Sequence, residues 1–165
     1  AVTVVHLSDM HVGDAGASAL AVALGQGALP RLKCLSLYNA AIGDTGLVAL
    51  APALRRLPAL KGLYFTSNPF SDKGLAALVA PPPAGALPPP TGVLPKLKLL
   101  NLGRTQVTDA GCSALAAALD SGALPALDEL YLGDVPASAA ARVAVQAALR
   151  LKASLLVPPD ALLIS

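Results

Sequence analysis

The sequence predicts an α/β solenoid, a stack of about five strand-and-helix units, and three observations carry that prediction. Asp14, Asp44, Asp72 and Asp109 lie 30, 28 and 37 residues apart, and each is followed two places later by a glycine: Gly16, Gly46, Gly74 and Gly111. A second signature runs in phase with the first, the junctions Leu29-Pro30, Leu57-Pro58, Leu94-Pro95 and Leu124-Pro125. Within each unit the apolar spacing then switches from alternation to a helical period, so each unit is a strand followed by a helix. Such a unit cannot bury its own apolar face and has to stack on its neighbours.

In chain order the units are residues 2–31, 32–59, 60–96, 97–126 and 127–152, with 153–165 as a C-terminal cap. They open as VTVVHLSDM, LKCLSLYNA, LKGLYFTSN, LKLLNLGRT and LDELYLGDV, each a short strand with one buried face. The second halves carry helical spacing: Leu47, Leu50 and Leu54 in the second unit, Cys112, Leu115 and Leu119 in the fourth. The aspartate stands where the helix begins, so its carboxylate is expected to accept first-turn N–H groups of that helix and to offset the positive helix end. Asp14, Asp44, Asp72 and Asp109 are therefore structural caps, and the glycine behind each removes a side chain where neighbouring units would collide. The third unit carries an insert, residues 80–92, whose two PPP runs read as an exposed polyproline-like or disordered loop, either a tolerated insertion or a docking segment for an SH3, WW or profilin type of groove, although no basic residue closely flanks the prolines. The fifth unit keeps its strand but loses the Asp-x-Gly signal and runs into an alanine-rich helix.

The pattern Lxx-L-x-L followed by GDxGxxxLxxxL, best seen in LKCLSLYNAAIGDTGLVALAPAL, resembles the ribonuclease-inhibitor class of leucine-rich repeats over about Val2 to Lys152. The resemblance implies a right-handed horseshoe segment with parallel strands on the concave face and helices on the convex face. It departs from that class at one point. The Asn or Cys expected eight residues after the first Leu is kept only as Asn68, against Met10, Ala40, Thr105 and Val135, and looser turns are the expectation.

Composition narrows the function classes. Twelve Lys+Arg against ten Asp+Glu give a net charge of +2, too even for a nucleic-acid or membrane-surface footprint, so neither partner is expected. The long uncharged run Gly74 to Pro95 is broken by proline and does not read as a membrane span. The first residues do not read as a signal peptide, and two cysteines with no Asn-x-Ser/Thr acceptor favour a reducing, intracellular compartment such as the cytoplasm.

Apparent catalytic motifs dissolve once the repeat is seen. HLSDMHVGD looks like the start of a metallophosphoesterase, but Asp9-Met10-His11 falls in the same turn as Asn39-Ala40-Ala41 and Arg104-Thr105-Gln106, and two histidines in all cannot supply a binuclear site. Asp44-Thr45-Gly46 mimics an aspartic-protease loop, yet its counterparts read DAG, DKG and DAG. Cys34, facing the concave side, has no base beside it, and Cys112 takes a buried helix position. No enzyme activity, cofactor or metal is expected.

A non-enzymatic module that binds another protein through its concave face is the reading that remains. Outward columns supply the candidates His6, Tyr38, Tyr64, Asn101, Arg104 and Tyr131, with a possible basic edge of Lys33, Lys61 and Lys98. The resemblance implies one alternative, a GTPase-activating or other regulatory repeat protein, and the uncapped first strand suggests another, a structural subunit of a large assembly. The chain begins directly in an apolar strand, which suggests self-association or contact through that strand, in a fragment of a longer repeat protein or in a subunit covered by a neighbour.

Overall fold

A computed structural model of the chain describes residues 2–80 and 93–155. Each unit forms one three-residue strand and one helix: β1 (Val4–His6), α1 (Gly13–Gly25), β2 (Cys34–Ser36), α2 (Asp44–Leu54), β3 (Gly62–Tyr64), α3 (Asp72–Val79), β4 (Leu99–Asn101), α4 (Asp109–Asp120), β5 (Glu129–Tyr131) and α5 (Ala139–Leu155). The strands form one parallel sheet in chain order, β1-β2-β3-β4-β5, the right-handed leucine-rich-repeat solenoid with helices on its other face. The proline-rich loop lies outside the described residues, as do residues 156–165 of the expected cap; α5 runs on to Leu155.

Burial follows the repeat. Leu35, Leu63, Leu100 and Leu130, the middle residues of β2 to β5, point inward, and Leu47, Leu50, Leu54, Cys112, Leu115 and Leu119 meet them from the helices in one continuous core. The third unit fills the same space with the two phenylalanines of the chain, Phe65 and Phe70, packed edge to face at 5.7 Å between ring centres. Among the described residues no helix is long and apolar enough to cross a membrane.

The aspartates do cap helices, but not their own. In α2, α3 and α4 the aspartate is the first helical residue, and the capping positions one place earlier are Gly43, Ser71 and Thr108. From that position, or from the second residue of α1 in the case of Asp14, the carboxylate reaches forward to the next unit. Asp14 Oδ1 accepts the N–H groups of Gly43 (2.7 Å) and Gly46 (3.0 Å), and Asp44 Oδ1 accepts those of Ser71 (2.7 Å) and Gly74 (2.9 Å). Ser71 Oγ adds a bond to Asp44 Oδ2 at 2.8 Å. Asp72 takes the N–H and hydroxyl of Thr108, and Asp109 takes those of Ser138. Each carboxylate thus satisfies first-turn donors that would otherwise be orphaned, one repeat along the stack.

This geometry also explains the glycine. A Cβ on Gly46 would stand 2.5 Å from Asp14 Oδ1, and one on Gly74 would stand 2.9 Å from Asp44 Oδ1. The glycine therefore clears the path of the previous unit's aspartate. At α5 both features lapse together: Ala139 and Ala141 replace the pair, and Ser138 Oγ itself caps the N–H of Ala141 at 3.1 Å.

The turns after the strands are not loosened by the missing asparagines. Asp9, Asn39, Ser67, Arg104 and Asp134 all adopt the left-handed conformation, with φ between 50 and 63°. Asn68, almost fully buried, carries more than its own unit. Its Oδ1 accepts the N–H groups of Ala40 and Ile42 at 3.1 Å each, and its amide donates to the carbonyls of Leu37 (2.7 Å) and Phe65 (2.8 Å). One side chain therefore holds the turns of two units, and Thr105 makes a smaller version of the bond, from its hydroxyl to Leu102 O.

Replacing Asp44 by Ala strips three bonds from the start of α3, and a loss of about 2 kcal/mol in urea unfolding is expected, the upper end for a lost cap. Burial alone would raise the Asp44 pKa, but the N–H and hydroxyl of Ser71, the N–H of Gly74 and nearby Lys73 outweigh it and leave the pKa below its ordinary 3.8. A depressed carboxylate stabilises the fold above the unfolded value and loses that contribution as pH falls through the folded one. The stability gap between the native chain and Asp44→Ala should therefore be full at neutral pH and shrink below pH 3.8; a gap unchanged in acid would contradict the assignment. Asn68→Ala leaves two N–H groups and two carbonyls without their partner in the core, and should cost about 3 kcal/mol by the same measurement.

Candidate protein-binding face

The strand register decides what the exposed side of the sheet offers. Val4, Cys34, Gly62, Leu99 and Glu129 form one row across the strands, and His6, Ser36, Tyr64, Asn101 and Tyr131 form the next. Beyond them runs a row of Ser8, Tyr38, Thr66, Gly103 and Gly133, and then the left-handed turn residues. His6, Tyr38, Arg104 and Tyr131 are exposed, whereas Tyr64 and Asn101 are half-buried. His6, Tyr64, Asn101 and Tyr131 lie on this side because strand residues alternate between core and solvent, whereas Tyr38 and Arg104 belong to the turns that follow β2 and β4.

The row is not uniformly available. Ser36 is buried, with its hydroxyl 2.9 Å from Ser8 Oγ. Asn101 spends its Oδ1 on the N–H of Gly103 at 3.1 Å. The Tyr131 hydroxyl donates to Glu129 Oε2 at 2.7 Å; that bond, then the charge of Glu129, raises the phenol pKa. The tyrosine thus keeps its proton, and its exposed ring offers a neutral, amphipathic surface on the last strand.

Arg104 sits in a turn position and pairs with Asp134, one unit on, at 3.6 Å, both side chains being largely exposed. Two units back the same row holds a second contact, Asn39 Nδ2 to Asp9 Oδ1 at 2.9 Å. The row of turn residues therefore binds itself at both ends of the stack, and part of its polarity belongs to the turn: Asn and Asp tolerate the left-handed conformation better than most residues.

Cys34 and Cys112 are both free, half-buried and buried respectively, and burial is the first cause of the raised pKa of each thiol. A raised pKa disfavours the thiolate, which is the nucleophilic form. Beside Cys34 the backbone of Gly62 is flanked by Cys34 Sγ and the ring of Tyr64, each 3.5 Å from where a Cβ would stand. This small, apolar spot in the middle of the face was not singled out from the sequence. Only the fixed register, with Gly62 between a thiol and an aromatic ring, makes it a feature.

At the N-terminal ends of the strands Lys33, Lys61 and Lys98 are exposed and stacked in order. The N–H of Lys61 donates to Lys33 O at 2.7 Å, and that of Lys98 to Lys61 O at 2.8 Å.

Comparison with known proteins fits this architecture. The family profile described as "Leucine Rich repeat" matches residues 2–21, 29–51 and 93–116. Ribonuclease inhibitor from Sus scrofa is 33% identical over 108 residues, which is 66% of this chain and 22% of that protein. The chain therefore spans about a fifth of that relative's length. Among solved structures, leiomodin-1 actin-binding site 2 (ABS2) superposes with a TM-score of 0.65 over 93% of this chain and 82% of that one, at 16% identity, a likeness of fold. Periodic strands, forward-reaching aspartates and these matches converge: the chain is a leucine-rich-repeat solenoid similar to those of the ribonuclease-inhibitor type.

Proposed function

We propose that the chain is a protein-interaction module that performs no chemistry of its own and receives a partner protein on the concave strand face. The observation that carries this reading is the rigid, in-register row His6, Tyr64, Asn101 and Tyr131, flanked by Tyr38 and Arg104. Tyrosines on a backbone held at both ends by interunit bonds lose little entropy on binding and bury a large apolar surface while offering a hydroxyl. The family is consistent with the reading, since its named relative here is an inhibitor protein. That relative's target and the actin named for the leiomodin-1 structure belong to those proteins.

A second reading, a subunit in a larger assembly, is favoured by the first unit. Val2 and Met10 are 50% and 57% exposed, whereas Leu32 and Ala40, their counterparts one unit on, are fully buried. Val5, Leu7, Val12 and Leu20 are only partly covered. Together they make a core-like surface beside the outer edge of β1, where a strand of a preceding repeat in a longer chain or of a neighbouring subunit can pair.

Two measurements separate these readings. The chain carrying Tyr38→Ala, Tyr64→Ala and Tyr131→Ala should keep its helical circular dichroism and lose partners cross-linked to the native chain by about tenfold or more, the loss of a typical hot spot. Equal capture by both would remove the face from the proposal. In sedimentation, concentration-dependent association abolished by Val4→Lys supports the exposed β1 edge as an interface; a monomer at every concentration tested counts against the edge as a self-association surface.

A further inference from the structure

We infer that the partner presents an acidic, extended segment, which lies across the N-terminal ends of β2, β3 and β4 on the stacked side chains of Lys33, Lys61 and Lys98. The inference rests on the reading that this side of the sheet receives a protein, and it names the chemistry of one edge of that site.

The lysines are held in line by the backbone. Lys33 O accepts the N–H groups of both Lys61 (2.7 Å) and Gly62 (2.9 Å), and Lys61 O accepts those of both Lys98 (2.8 Å) and Leu99 (3.1 Å). This shared-acceptor pattern lets two successive residues of each strand face outward, so the lysine does not turn into the core as strict alternation would require. Successive lysines are then about 4.8 Å apart, the spacing of paired strands. The three span about 10 Å.

Charge is segregated at this edge. Arg31 and Lys96, both exposed, lie two residues upstream of Lys33 and Lys98 in the same junctions, so five of the chain's twelve basic residues gather there. Among the described residues no carboxylate forms an ion pair with any of them; the one ion pair is Arg104 with Asp134, at the opposite ends of the strands. Asp14, Asp44, Asp72 and Asp109 are already committed to helix starts. The row ends in Asp128, whose N–H donates to Lys98 O at 2.9 Å, so the attractive strip covers the second to fourth units and reverses sign at the fifth.

Like charges stacked on neighbouring strands repel one another, and a partner that brings carboxylates relieves that repulsion. In an extended peptide every second side chain points the same way, about 6.6 Å apart, a mismatch that the flexible lysine stems absorb. Two or three acidic side chains at that spacing fit the strip.

The test is a fluorescence-anisotropy titration of the whole chain with a labelled oligoglutamate peptide, an oligoglutamine peptide of equal length and a single-stranded DNA oligonucleotide of equal charge. Oligoglutamate should bind at low ionic strength and weaken as salt rises. Oligoglutamine should not bind. Lys33→Gln, Lys61→Gln and Lys98→Gln together should weaken the glutamate peptide by about tenfold or more, while the corresponding Lys→Arg chain retains binding and Arg56→Gln with Lys73→Gln on the helical side changes it by less than about twofold. Equal binding by the edge and helical-side variants would overturn the inference, as would tighter binding of the oligonucleotide than of the peptide. The two proposals fail separately: tyrosine substitutions that leave partner capture intact remove the concave face, whereas lysine substitutions that leave the peptide titration intact remove only the acidic segment.

Discussion

The interaction on which the stack depends is a charge-assisted hydrogen bond across units, from the first-turn N–H groups of one helix to the aspartate of the helix before it. Asp14 with Gly43 and Gly46, and Asp44 with Ser71 and Gly74, repeat the same two-donor geometry. Such a bond is about twice as strong as a neutral one and needs its donors at a set distance and angle, so it fixes how closely successive helices approach. Close approach requires a missing side chain, and glycine supplies it. The helix spacing then sets the spacing of strands on the opposite side, and with it the placement of every outward side chain.

Turn geometry is a second constraint, and it is satisfied by different means in different units. The left-handed residue recurs in all five turns, although its identity changes from Asp to Asn, Ser, Arg and Asp. Asn68 reaches from the third unit with three bonds, to Leu37, Ala40 and Ile42, that hold the second unit's turn, where Ala40 stands in place of an asparagine. Support passed between neighbours in this way explains why losing most of the asparagines does not loosen the backbone. A solenoid distributes its constraints, so a unit with a weak turn of its own is held by the next.

The repeat made the fold legible. Strand and helix positions, the buried Leu47, Leu50 and Leu54, and the order of the outward rows all follow from periodicity, because the period of burial is set by backbone geometry. The target of each aspartate was less accessible: a carboxylate at a helix start reads as a cap for that helix, and only coordinates distinguish its own first turn from its neighbour's. For the candidate face, the sequence identified the columns but not their internal commitments. Ser36 looks as available as Tyr64 in a string of letters, yet it is buried against Ser8, and the hydroxyl of Tyr131 is taken by Glu129. Side-chain pairing across residues far apart in the chain has no local signature. Gly62 was likewise invisible, since its significance lies in what flanks it.

The same interlock changes how the charge of the chain should be counted. A net charge of +2 suggests a surface with little electrostatic preference. Four of its ten acidic residues, however, face backbone donors of the next unit, and their charge is largely answered by helix starts. The basic residues carry no comparable structural duty at the strand ends, and they accumulate in the junction that each unit repeats. A solenoid thus converts a choice made once per unit, aspartate at the helix start and lysine at the strand start, into two separate stripes. One stripe is consumed in holding the stack together. The other is left facing solvent, where its field can select a partner by sign.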